Sequence, residues 1–521
     1  MTQENYNFSI ETLRDLSKSH SVALFSDLSL NPYFQALELE LISILTSEGK
    51  SPTVISCQGL LPWCYENPTH RKIKCDLCIK TRARGQSLAG IAANHVFLLE
   101  IDFEKRRALD ELSLKISSEL KNMNDVKDLN FGGINIGPGI AATLSHTLRD
   151  PQPDLELNLD LLQRLVQTSI YVVKSLPELL ETKACDKFIV ANGRLATNWT
   201  ASRVAESLGL QVYSYEYLVG TGHLQVVPSS PVHDINHLHK RLSILTERAM
   251  NSVEMQAKAE TWFETNRYPT QDVNNNVPIT LSSINRFTED QSRGLLPSEF
   301  NPRMRNIAVF LSSEWEYAAL PGWENPLGES QLHVMSQILS DKNLDDKLVF
   351  WIRAHPHTRG DSNLALHQTP ELLNSQVNII LPESEIDTYA LLEASEKVLT
   401  FGSTVGVEAA FWGKPSILCG RADYETLECC YRPSSIPETV DLLNETLSAP
   451  NRLTTLPFVL LRLEQGIPLA HVSINYPKSA AIHGIPTTPM LYRIILPLLQ
   501  NFLKVRRTLR LRIRYSRNAR R

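Results

Sequence analysis

Two short segments in the second half of the chain combine imidazole and hydroxyl side chains in an order that suits phosphate binding. The first is Arg353-Ala354-His355-Pro356-His357, and the second is Gly402-Ser403-Thr404, with Glu408 one turn further on. Imidazole and hydroxyl groups donate hydrogen bonds to phosphate oxygens, and the first N–H groups of a helix add a positive field. Each segment alone also fits a structural turn or a helix cap, but together they favour an anion site.

A pair of serines, Ser312 and Ser313, follows the apolar run Ile307 to Leu311. If that run is a strand, the two hydroxyl groups lie at its carboxyl end and could contact a phosphate or a second substrate. An ordinary helix amino cap formed by either serine explains the pair equally well.

The first half of the chain carries candidates for a general base and for anion binding. Asn192-Gly193-Arg194 follows an apolar run, and its arginine could bind an anionic group through two parallel hydrogen bonds. Glu216 follows the next apolar run and Asp27 the first one, so either carboxylate could accept a proton. A surface or helix-capping carboxylate is the alternative interpretation for Glu216. The glycine-rich stretch 132–139 could line a cleft beside these residues, and it is interpreted first as a flexible loop and second as a phosphate-binding nest.

Four of the eight cysteines lie within a short polar segment, at Cys57, Cys64, Cys75 and Cys78. The Cys-x-x-Cys spacing of the last two is typical of a zinc knuckle, whereas the spacing of the first two is not. A structural zinc site and free or redox-active thiols therefore both remain open.

These candidate residues need a scaffold, and the apolar pattern predicts one. Short apolar runs alternate with segments of helical period, which is typical of parallel sheets with crossover helices. The predicted strands are Val22–Phe25, Thr53–Ile55, Val96–Leu99, Phe188–Val190, Gln211–Ser214, Ile307–Leu311, Leu348–Ile352, Val377–Leu381, Val398–Phe401 and Ser416–Leu418. The fold class is therefore α/β, with two Rossmann-like lobes and a cleft between them.

A proline- and asparagine-rich stretch without apolar period divides the chain. The predicted domains are an N-terminal lobe at 1–264 with a cysteine-rich insertion at 57–78, a linker at 265–305, a C-terminal lobe at 306–485 and a basic tail at 486–521.

Composition excludes several classes of protein. The chain of 521 residues is 42% hydrophobic and 21% charged, with a net charge of -5, which is ordinary for a globular protein. Residues 1–20 lack the uninterrupted apolar stretch of a signal peptide, and the most apolar later window, 490–505, is broken by charges and a proline. We expect a cytoplasmic protein.

The segments around His355-Pro356, around Phe401 to Pro415 and from Asn192 to Glu216 resemble capsule polysaccharide biosynthesis proteins. Those proteins are bacterial glycosyltransferases of the GT-B fold. The resemblance implies transfer of a sugar from a nucleotide donor to a cell-surface or lipid-linked glycan.

The resemblance also implies residue roles. His355, Ser403 and Thr404 would contact the donor phosphates, Glu408 the ribose, and Asn192, Gly193 and Arg194 the acceptor. Glu216 or Asp27 would be the base, and Arg353, Ser312 and Ser313 would complete the donor site. With His355, Arg353 and helix dipoles supplying the positive field, catalysis needs no metal or other cofactor. A His-Pro pair with a Ser-Thr pair favours a CMP-linked donor, and a UDP-linked donor fits the same geometry.

Two other functions remain open. Sugar-nucleotide epimerases share the two-lobed build and a similar late glycine-rich segment, but more carboxylates are expected around their cleft. A non-catalytic glycan- or nucleotide-binding subunit of a capsule assembly complex would bind without turnover.

The last turns of the chain concentrate arginine and lysine from Lys504 to Arg521 although the protein as a whole is acidic. Phe502, Val505, Leu509 and Ile513 form an apolar stripe at helical spacing in the same segment. This pattern favours peripheral association with an anionic inner-membrane surface over nucleic acid binding. A solvated tail or a strand remains the alternative.

Overall fold

The computed structural model describes residues 7–218, 221–229, 231–250, 252–268, 294–359, 369–475 and 479–490. Its strands are β1 (Val22–Ser26), β2 (Thr53–Ser56), β3 (Val96–Leu98), β4 (Asn130–Phe131), β5 (Ile134–Asn135), β6 (Lys187–Ala191), β7 (Gln211–Tyr217), β8 (Leu224–Val227), β9 (Arg305–Phe310), β10 (Leu348–Arg353), β11 (Val377–Ile380), β12 (Lys397–Thr400), β13 (Ser416–Leu418), β14 (Val472–Asn475), β15 (Ser479–Ile482) and β16 (Ile485–Pro486).

The α-helices are α1 (Phe8–Lys18), α2 (Pro32–Ser47), α3 (Lys72–Leu88), α4 (Phe103–Glu119), α5 (Met123–Lys127), α6 (Gly137–Leu148), α7 (Leu159–Thr182), α8 (Ala196–Ser207), α9 (Ile235–Met250), α10 (Val253–Arg267), α11 (Gln331–Leu339), α12 (Thr388–Ala394), α13 (Val405–Phe411), α14 (Ile436–Asn444) and α15 (Leu456–Leu463). Short 3-10 helices occupy Ala93–His95, Glu314–Glu316, Pro356–Thr358, Pro370–Leu373 and Arg452–Thr455.

The N-terminal lobe is built on a six-stranded sheet in the order β3-β2-β1-β6-β7-β8. Its strands run parallel except for β8, which pairs antiparallel with β7. Strand β1 is buried along its whole length because helices cover both faces, which explains its continuous apolar run. Strand order reverses between β1 and β6, and ligands of such sheets bind at the carboxyl ends of the strands beside that point.

The C-terminal lobe repeats this design in a five-stranded parallel sheet with the order β11-β10-β9-β12-β13. Its order reverses between β9 and β12, so the segments that follow these two strands meet at one edge. Ser312-Ser313 follows β9 and Gly402-Ser403-Thr404 follows β12. The α/β fold with two Rossmann-like lobes that the sequence predicts is confirmed.

Side-chain chemistry fixes where several helices begin. The side chain of Asn31 accepts hydrogen bonds from the N–H groups of Tyr33 and Phe34, and Pro32 occupies the first position of α2. This is the usual amino-terminal signal, since proline has no N–H group to leave unsatisfied.

The chain passes between the lobes more than once. Helices α9 and α10 pack with α13 and α15, and the rings of Phe263 and Phe411 stack with centroids 4.0 Å apart. After α15 the chain returns to the N-terminal lobe, where Val472 of β14 and Ile482 of β15, two antiparallel strands, join the core formed by Leu39 and its neighbours on α2.

The predicted domain boundaries stay a prediction. Much of the predicted linker, at 269–293, and most of the basic tail, at 491–521, lie outside the described residues. None of the helices in the described ranges is long and apolar enough to cross a membrane.

The glycine-rich stretch 132–139 is not the flexible loop that the sequence suggests. Gly132 and Gly133, with φ of 59° and 82°, form the two-residue turn of the β4-β5 hairpin, where both positions need positive φ. A Cβ atom on Gly137 would lie 2.2 Å from the carbonyl oxygen of Lys127, and one on Gly139 would lie 2.5 Å from Cβ of Trp199. The glycines therefore permit close packing at the start of α6.

Candidate active site

A cleft of about 1460 Å³ lies between the lobes and is lined from both sides. Ligand pockets for one small molecule usually measure ~300 to 1,000 Å³, so this cleft has room for more than one small molecule. Its walls contain eight of the residues with a predicted site role: Asn192, Arg194, Glu216, Ser312, Ser313, His355, Ser403 and Thr404. The fold therefore brings together residues that are more than two hundred positions apart in the chain.

Asn192, directly after β6, has a left-handed backbone with φ of 56°. Asparagine tolerates this conformation better than most residues because its short polar side chain bonds locally. Its Oδ1 accepts a hydrogen bond from the N–H of Arg194 at 3.1 Å, and its Nδ2 donates to Oε2 of Glu216 at 2.5 Å. The Asn-Gly-Arg turn thus holds a carboxylate on the neighbouring strand.

Glu216 lies in β7 and is 6% exposed. Burial raises the pKa of its carboxyl group to about 7, against the opposing effect of the hydrogen bond from Asn192. A second donor, the N–H of Tyr217, lies 3.2 Å from Oε1. A carboxylate with a pKa near neutral can take up a proton in its working range, as a general base must.

His355 is held in one tautomer by its neighbours. Its Nδ1 accepts a hydrogen bond from the backbone N–H of His357 at 3.2 Å and lies 2.7 Å from Oγ of Ser313. A ring nitrogen that accepts a hydrogen bond carries no proton, so in the neutral imidazole the proton is on Nε2. Burial lowers the pKa of His355 to about 4, which keeps the ring neutral. His355 therefore presents an N–H donor, and that Nε2 makes no hydrogen bond within the described part of the chain.

The loop after β12 presents two hydroxyl groups, those of Ser403 and Thr404, at the same edge. Gly402 has φ of 115°, and a Cβ atom there would lie 2.4 Å from the carbonyl oxygen of Arg421. The helix that follows, α13, has only seven residues, so the hydroxyl groups and nearby cations matter more than its dipole.

Arg421 lines the cleft beside this loop, after β13, and was not singled out in the sequence. It forms an ion pair with the buried carboxylate of Glu425 at 2.9 Å, and Arg432 approaches the same carboxylate at 3.2 Å. Two arginines share one carboxylate, so Glu425 does not neutralise both of them. In the sequence, the indication of a site at Arg421 is that Gly420-Arg421 directly follows an apolar run.

The two serines after β9 have different partners. Ser313 contacts His355, whereas the N–H of Ser312 donates to Oε1 of Gln331 at 2.9 Å. Ser312 also lies within reach of the carbonyl of Phe401, at 3.3 Å. Ser312 therefore ties the β9 loop to α11 and to the end of β12.

Four of the predicted donor, acceptor and base residues are not among the residues lining the cleft in the described ranges: Asp27, Gly193, Arg353 and Glu408. Asp27 accepts a hydrogen bond from Asn198 at 3.3 Å, and burial raises the pKa of Asp27 to about 7. Arg353 donates to the carbonyl of Ile386 at 2.6 Å, away from the cleft.

Glu408 is 1% exposed and accepts a hydrogen bond from the hydroxyl group of Tyr389. Gly193, whose φ is 81°, does not line the cleft either and serves the turn between Asn192 and Arg194. The side chains of Asp27, Arg353 and Glu408 thus each have a polar partner within the protein.

The four clustered cysteines are half-buried and unbonded to one another. Cys75 and Cys78 lie on α3, and the side-chain amide of Asn67 donates to Sγ of Cys75 at 3.2 Å. Burial raises the pKa of the Cys57 and Cys64 thiols, so neither is an activated thiolate. Among the described residues, no group of three or more His, Cys, Asp or Glu side chains is arranged to hold a metal ion. The structural zinc site stays a prediction.

Comparison with known families gives no match: neither a family model nor a curated protein matches the chain. Solved structures similar to it include two KpsC proteins of Thermosulfurimonas dismutans. The beta Kdo 2,7 transferase is 15% identical, with 56% of this chain and 80% of that chain covered and a TM-score of 0.33. The beta Kdo 2,4 transferase is 14% identical, with 61% and 88% covered and a TM-score of 0.33.

An epimerase is also similar in structure. The UDP-GlcNAc 2-epimerase of Methanocaldococcus jannaschii, solved with UDP-GlcNAc and UDP, is 11% identical, with 84% of this chain and 98% of that chain covered and a TM-score of 0.25.

Proposed function

We propose that this protein transfers a sugar from a nucleotide donor to a hydroxyl group of a glycan acceptor. One observation carries the proposal: a carboxylate with a pKa near 7, Glu216, and a neutral N–H donor, His355, line the same cleft from opposite lobes. Transfer with inversion needs a base on the acceptor side and hydrogen-bond donors on the leaving-group side. The cleft supplies both.

On the donor side, the phosphate next to the sugar would bind the C-terminal lobe. Nε2–H of His355 and the hydroxyl groups of Ser403 and Thr404 would donate hydrogen bonds to its oxygens, and Arg421 would add positive charge. These groups stabilise the negative charge that develops when the bond from the anomeric carbon to the phosphate oxygen breaks. The bonding electrons leave with that oxygen.

On the acceptor side, Glu216 would take the proton of the attacking hydroxyl group while its oxygen forms the new bond to the anomeric carbon. Asn192 holds the carboxylate in place through its side-chain amide. Arg194 lies in the same turn and lines the cleft, where it could bind an anionic part of the acceptor. The carboxylate ends the step protonated and returns its proton to water.

The proposal extends to the substrates and the location suggested by the sequence. The donor would be CMP- or UDP-linked, and the acceptor would be a cell-surface or lipid-linked glycan in a capsule-type pathway. The basic tail would hold the enzyme on the inner face of the membrane, where a lipid-linked acceptor is found. No cofactor enters the reaction as written.

A thermal-shift screen of the purified protein against CMP-, CDP-, UDP- and GDP-linked sugars tests the donor site. A ligand at a hundredfold excess over its Kd stabilises the folded protein by about 2.7 kcal/mol, which raises the Tm measurably. We expect a shift with one nucleotide class that is lost in His355→Ala and retained in His20→Ala, a control at an exposed histidine. No shift with any class, with or without a glycan acceptor, would contradict the proposal.

A second candidate function is sugar-nucleotide epimerisation, and the carboxylates of the cleft favour it. Glu216, Glu314 and Glu316 all line the cleft, and burial raises the pKa of Glu314 to about 7. Two carboxylates titrating near neutral could remove and return a proton on opposite faces of a sugar ring. NMR spectra of UDP-GlcNAc incubated with the protein distinguish the two functions. A new epimer that forms in the absence of an acceptor supports epimerisation. A sugar that stays unchanged until an acceptor is added, and is then transferred, supports the transferase. Binding without either reaction would favour a non-catalytic subunit.

A further inference from the structure

Two arginines of the N-terminal lobe contact backbone carbonyl groups of the C-terminal lobe across the cleft. Nη1 of Arg194 donates to the carbonyl oxygen of Glu316 at 2.7 Å, and Nη1 of Arg149 donates to that of His357 at 3.1 Å. Both lobes therefore meet at two loops, 312–318 after β9 and 355–359 after β10. Nζ of Lys127 adds a third contact of this kind, to the carbonyl oxygen of Ala318 at 2.8 Å.

A carboxylate joins these two loops to each other. Oε1 of Glu316 lies 3.1 Å from Nδ1 of His357. The backbone N–H of His357 in turn donates to Nδ1 of His355, and Ser313, from the same loop as Glu316, contacts that nitrogen as well. His355 is thus held from two loops that Glu316 connects.

The charge of Glu316 suits this position. Burial alone would raise its pKa, but the hydrogen bond with His357 and the positive charge of Arg194 hold the pKa below its ordinary value. Glu316 is therefore an anion at neutral pH, next to two basic side chains. A partly exposed contact between a carboxylate and a basic side chain contributes little to stability, about 0 to 1 kcal/mol, so overall stability is a weak reason for this contact. Its position beside the support of His355 suggests a different role.

We propose that Glu316 is a positioning residue, which joins the loops after β9 and β10 so that the closed lobes hold His355 with Nε2–H directed to the leaving group. This inference rests on the proposed function for the identity of the leaving group. The geometry that it assigns to His355 does not depend on which sugar is transferred.

The first test compares Glu316→Ala with Glu316→Gln and with Glu445→Gln, a control at an exposed glutamate of the same lobe. Misplacing a catalytic group by about 1 Å can cost on the order of a hundredfold in rate. We expect kcat to fall ten- to a hundredfold in Glu316→Ala with a nearly unchanged KM for the acceptor, and to fall less in Glu316→Gln, whose amide oxygen can still bond His357. Glu445→Gln should match the wild type.

The second test observes His355 directly, by NMR of protein labelled with ¹⁵N in its histidine rings, with the signals assigned through His355→Gln. In the wild type we expect one neutral tautomer with the proton on Nε2. In Glu316→Ala we expect a mixture of tautomers, and the same in His357→Ala, which removes the partner of Glu316 but keeps the backbone N–H. Circular dichroism confirms that each variant is folded, and if one variant fails to fold, the other decides.

The outcomes separate this inference from the proposed function. If the tautomer changes in the variants but no nucleotide sugar is turned over by the wild type, the positioning role stands and the transferase function fails. If the ring signals of His355 stay unchanged in both variants, the positioning role is wrong, whatever the activity. Unchanged kcat in an active, folded Glu316→Ala would overturn it as well.

Discussion

Glu216 and His355 lie on opposite walls of the cleft, and burial gives them different chemical roles. Burial disfavours charge in both, so the pKa of Glu216 rises to about 7 and that of His355 falls to about 4. At neutral pH the carboxyl group can still exchange its proton, whereas the imidazole cannot. The carboxylate therefore suits proton transfer, and the imidazole suits hydrogen-bond donation.

Replacing Glu216 by Gln should remove the base and leave the shape of the site. We expect kcat to fall by about 10² to 10⁴, the usual contribution of general base catalysis, with little change in donor affinity. In the wild type, kcat should rise with pH through about 7, because the deprotonated carboxylate is the active form. Initial rates between pH 5.5 and 8.5 measure this rise of kcat with pH, which we call the pH limb. The residual activity of the variant should not show it.

Glu264→Gln, at an exposed glutamate, is the control and should keep both the rate and the pH limb. A Glu216→Gln enzyme with wild-type kcat would remove Glu216 from the mechanism and return Asp27 to consideration.

Donor binding through His355 should not depend on pH between 5.5 and 8. With its pKa lowered to about 4 by burial, the ring is neutral throughout this window and donates through Nε2 at every pH. Isothermal titration calorimetry with a nucleotide sugar measures the affinity, since such a ligand lacks the phosphate ionisation near pH 6 of a terminal phosphate. Affinity that rises tenfold on acidification in the wild type, and not in His355→Gln, would show that the charged ring binds the donor.

The sequence alone predicts those site residues that lie in a single turn directly after a strand. Asn192 with Arg194, and His355, follow apolar runs, and the carboxyl ends of parallel strands converge. Arg421 also follows an apolar run, but one arginine after a strand forms no motif and does not by itself indicate a site. Glu316 escaped notice because its partners come from another loop and from the other lobe, and no local pattern encodes such contacts.

At the scale of elements, apolar runs predicted strands well where both faces are covered. The run Ile307 to Leu311 was expected as a strand, and β9 spans Arg305–Phe310. Helix α4, Phe103–Glu119, was not foreseen, because Ser113 and Ser117 are its only buried residues and its apolar period is therefore weak. The short strands β14 and β15 depend on packing against α2, which lies more than four hundred residues earlier.

The turn between β12 and α13 should tolerate no side chain at Gly402. Gly402→Ala adds a Cβ atom 2.4 Å from the carbonyl oxygen of Arg421 at a φ of 115°. Strain of this kind costs on the order of 1 to 3 kcal/mol, and backbone must move to relieve the clash. We expect a lower free energy of unfolding in urea and weaker donor binding, since the loop carries Ser403 and Thr404.

Gly413→Ala is the matched control, because Gly413 also has positive φ, at 77°, but a Cβ atom there meets nothing within 4 Å. It should lose stability through backbone strain alone and keep donor affinity. Equal losses of stability and affinity in the two variants would show that the contact with Arg421 is unimportant.

At the scale of the whole molecule, stability includes the cost of carboxyl groups buried in the N-terminal lobe. Glu38 on α2 is 2% exposed, and its Oε1 accepts a hydrogen bond from the hydroxyl group of Ser26 at 2.7 Å. Burial raises the pKa of Glu38 to about 7 despite this hydrogen bond. The folded protein thus favours the protonated form, and deprotonation at higher pH puts a charge in the core.

Glu38→Gln should therefore change stability in a pH-dependent way. Because the folded pKa lies above the unfolded value, the stability contributed by the protonated group is fully present below about pH 4.5 and is lost as pH rises through about 7. Glutamine cannot ionise, so Glu38→Gln keeps this stability as the pH rises. Relative to the wild type, we expect Glu38→Gln to gain stability between pH 5 and pH 8, by on the order of 3 kcal/mol at most.

Urea unfolding of the wild type and of Glu38→Gln at pH 5 and pH 8 measures this gain. The stability difference between the two proteins at pH 5 is subtracted from their difference at pH 8. Burial also lowers the pKa of histidines such as His146 and His355, and their protonation in the unfolded chain changes stability in part of this window, but these histidines are common to both proteins and their effect cancels. Glu264→Gln, at an exposed glutamate, should show the same offset from the wild type at both pH values. An offset for Glu38→Gln that is equally constant would mean that Glu38 ionises as freely in the folded protein as in the unfolded chain, and that the core around α2 admits water.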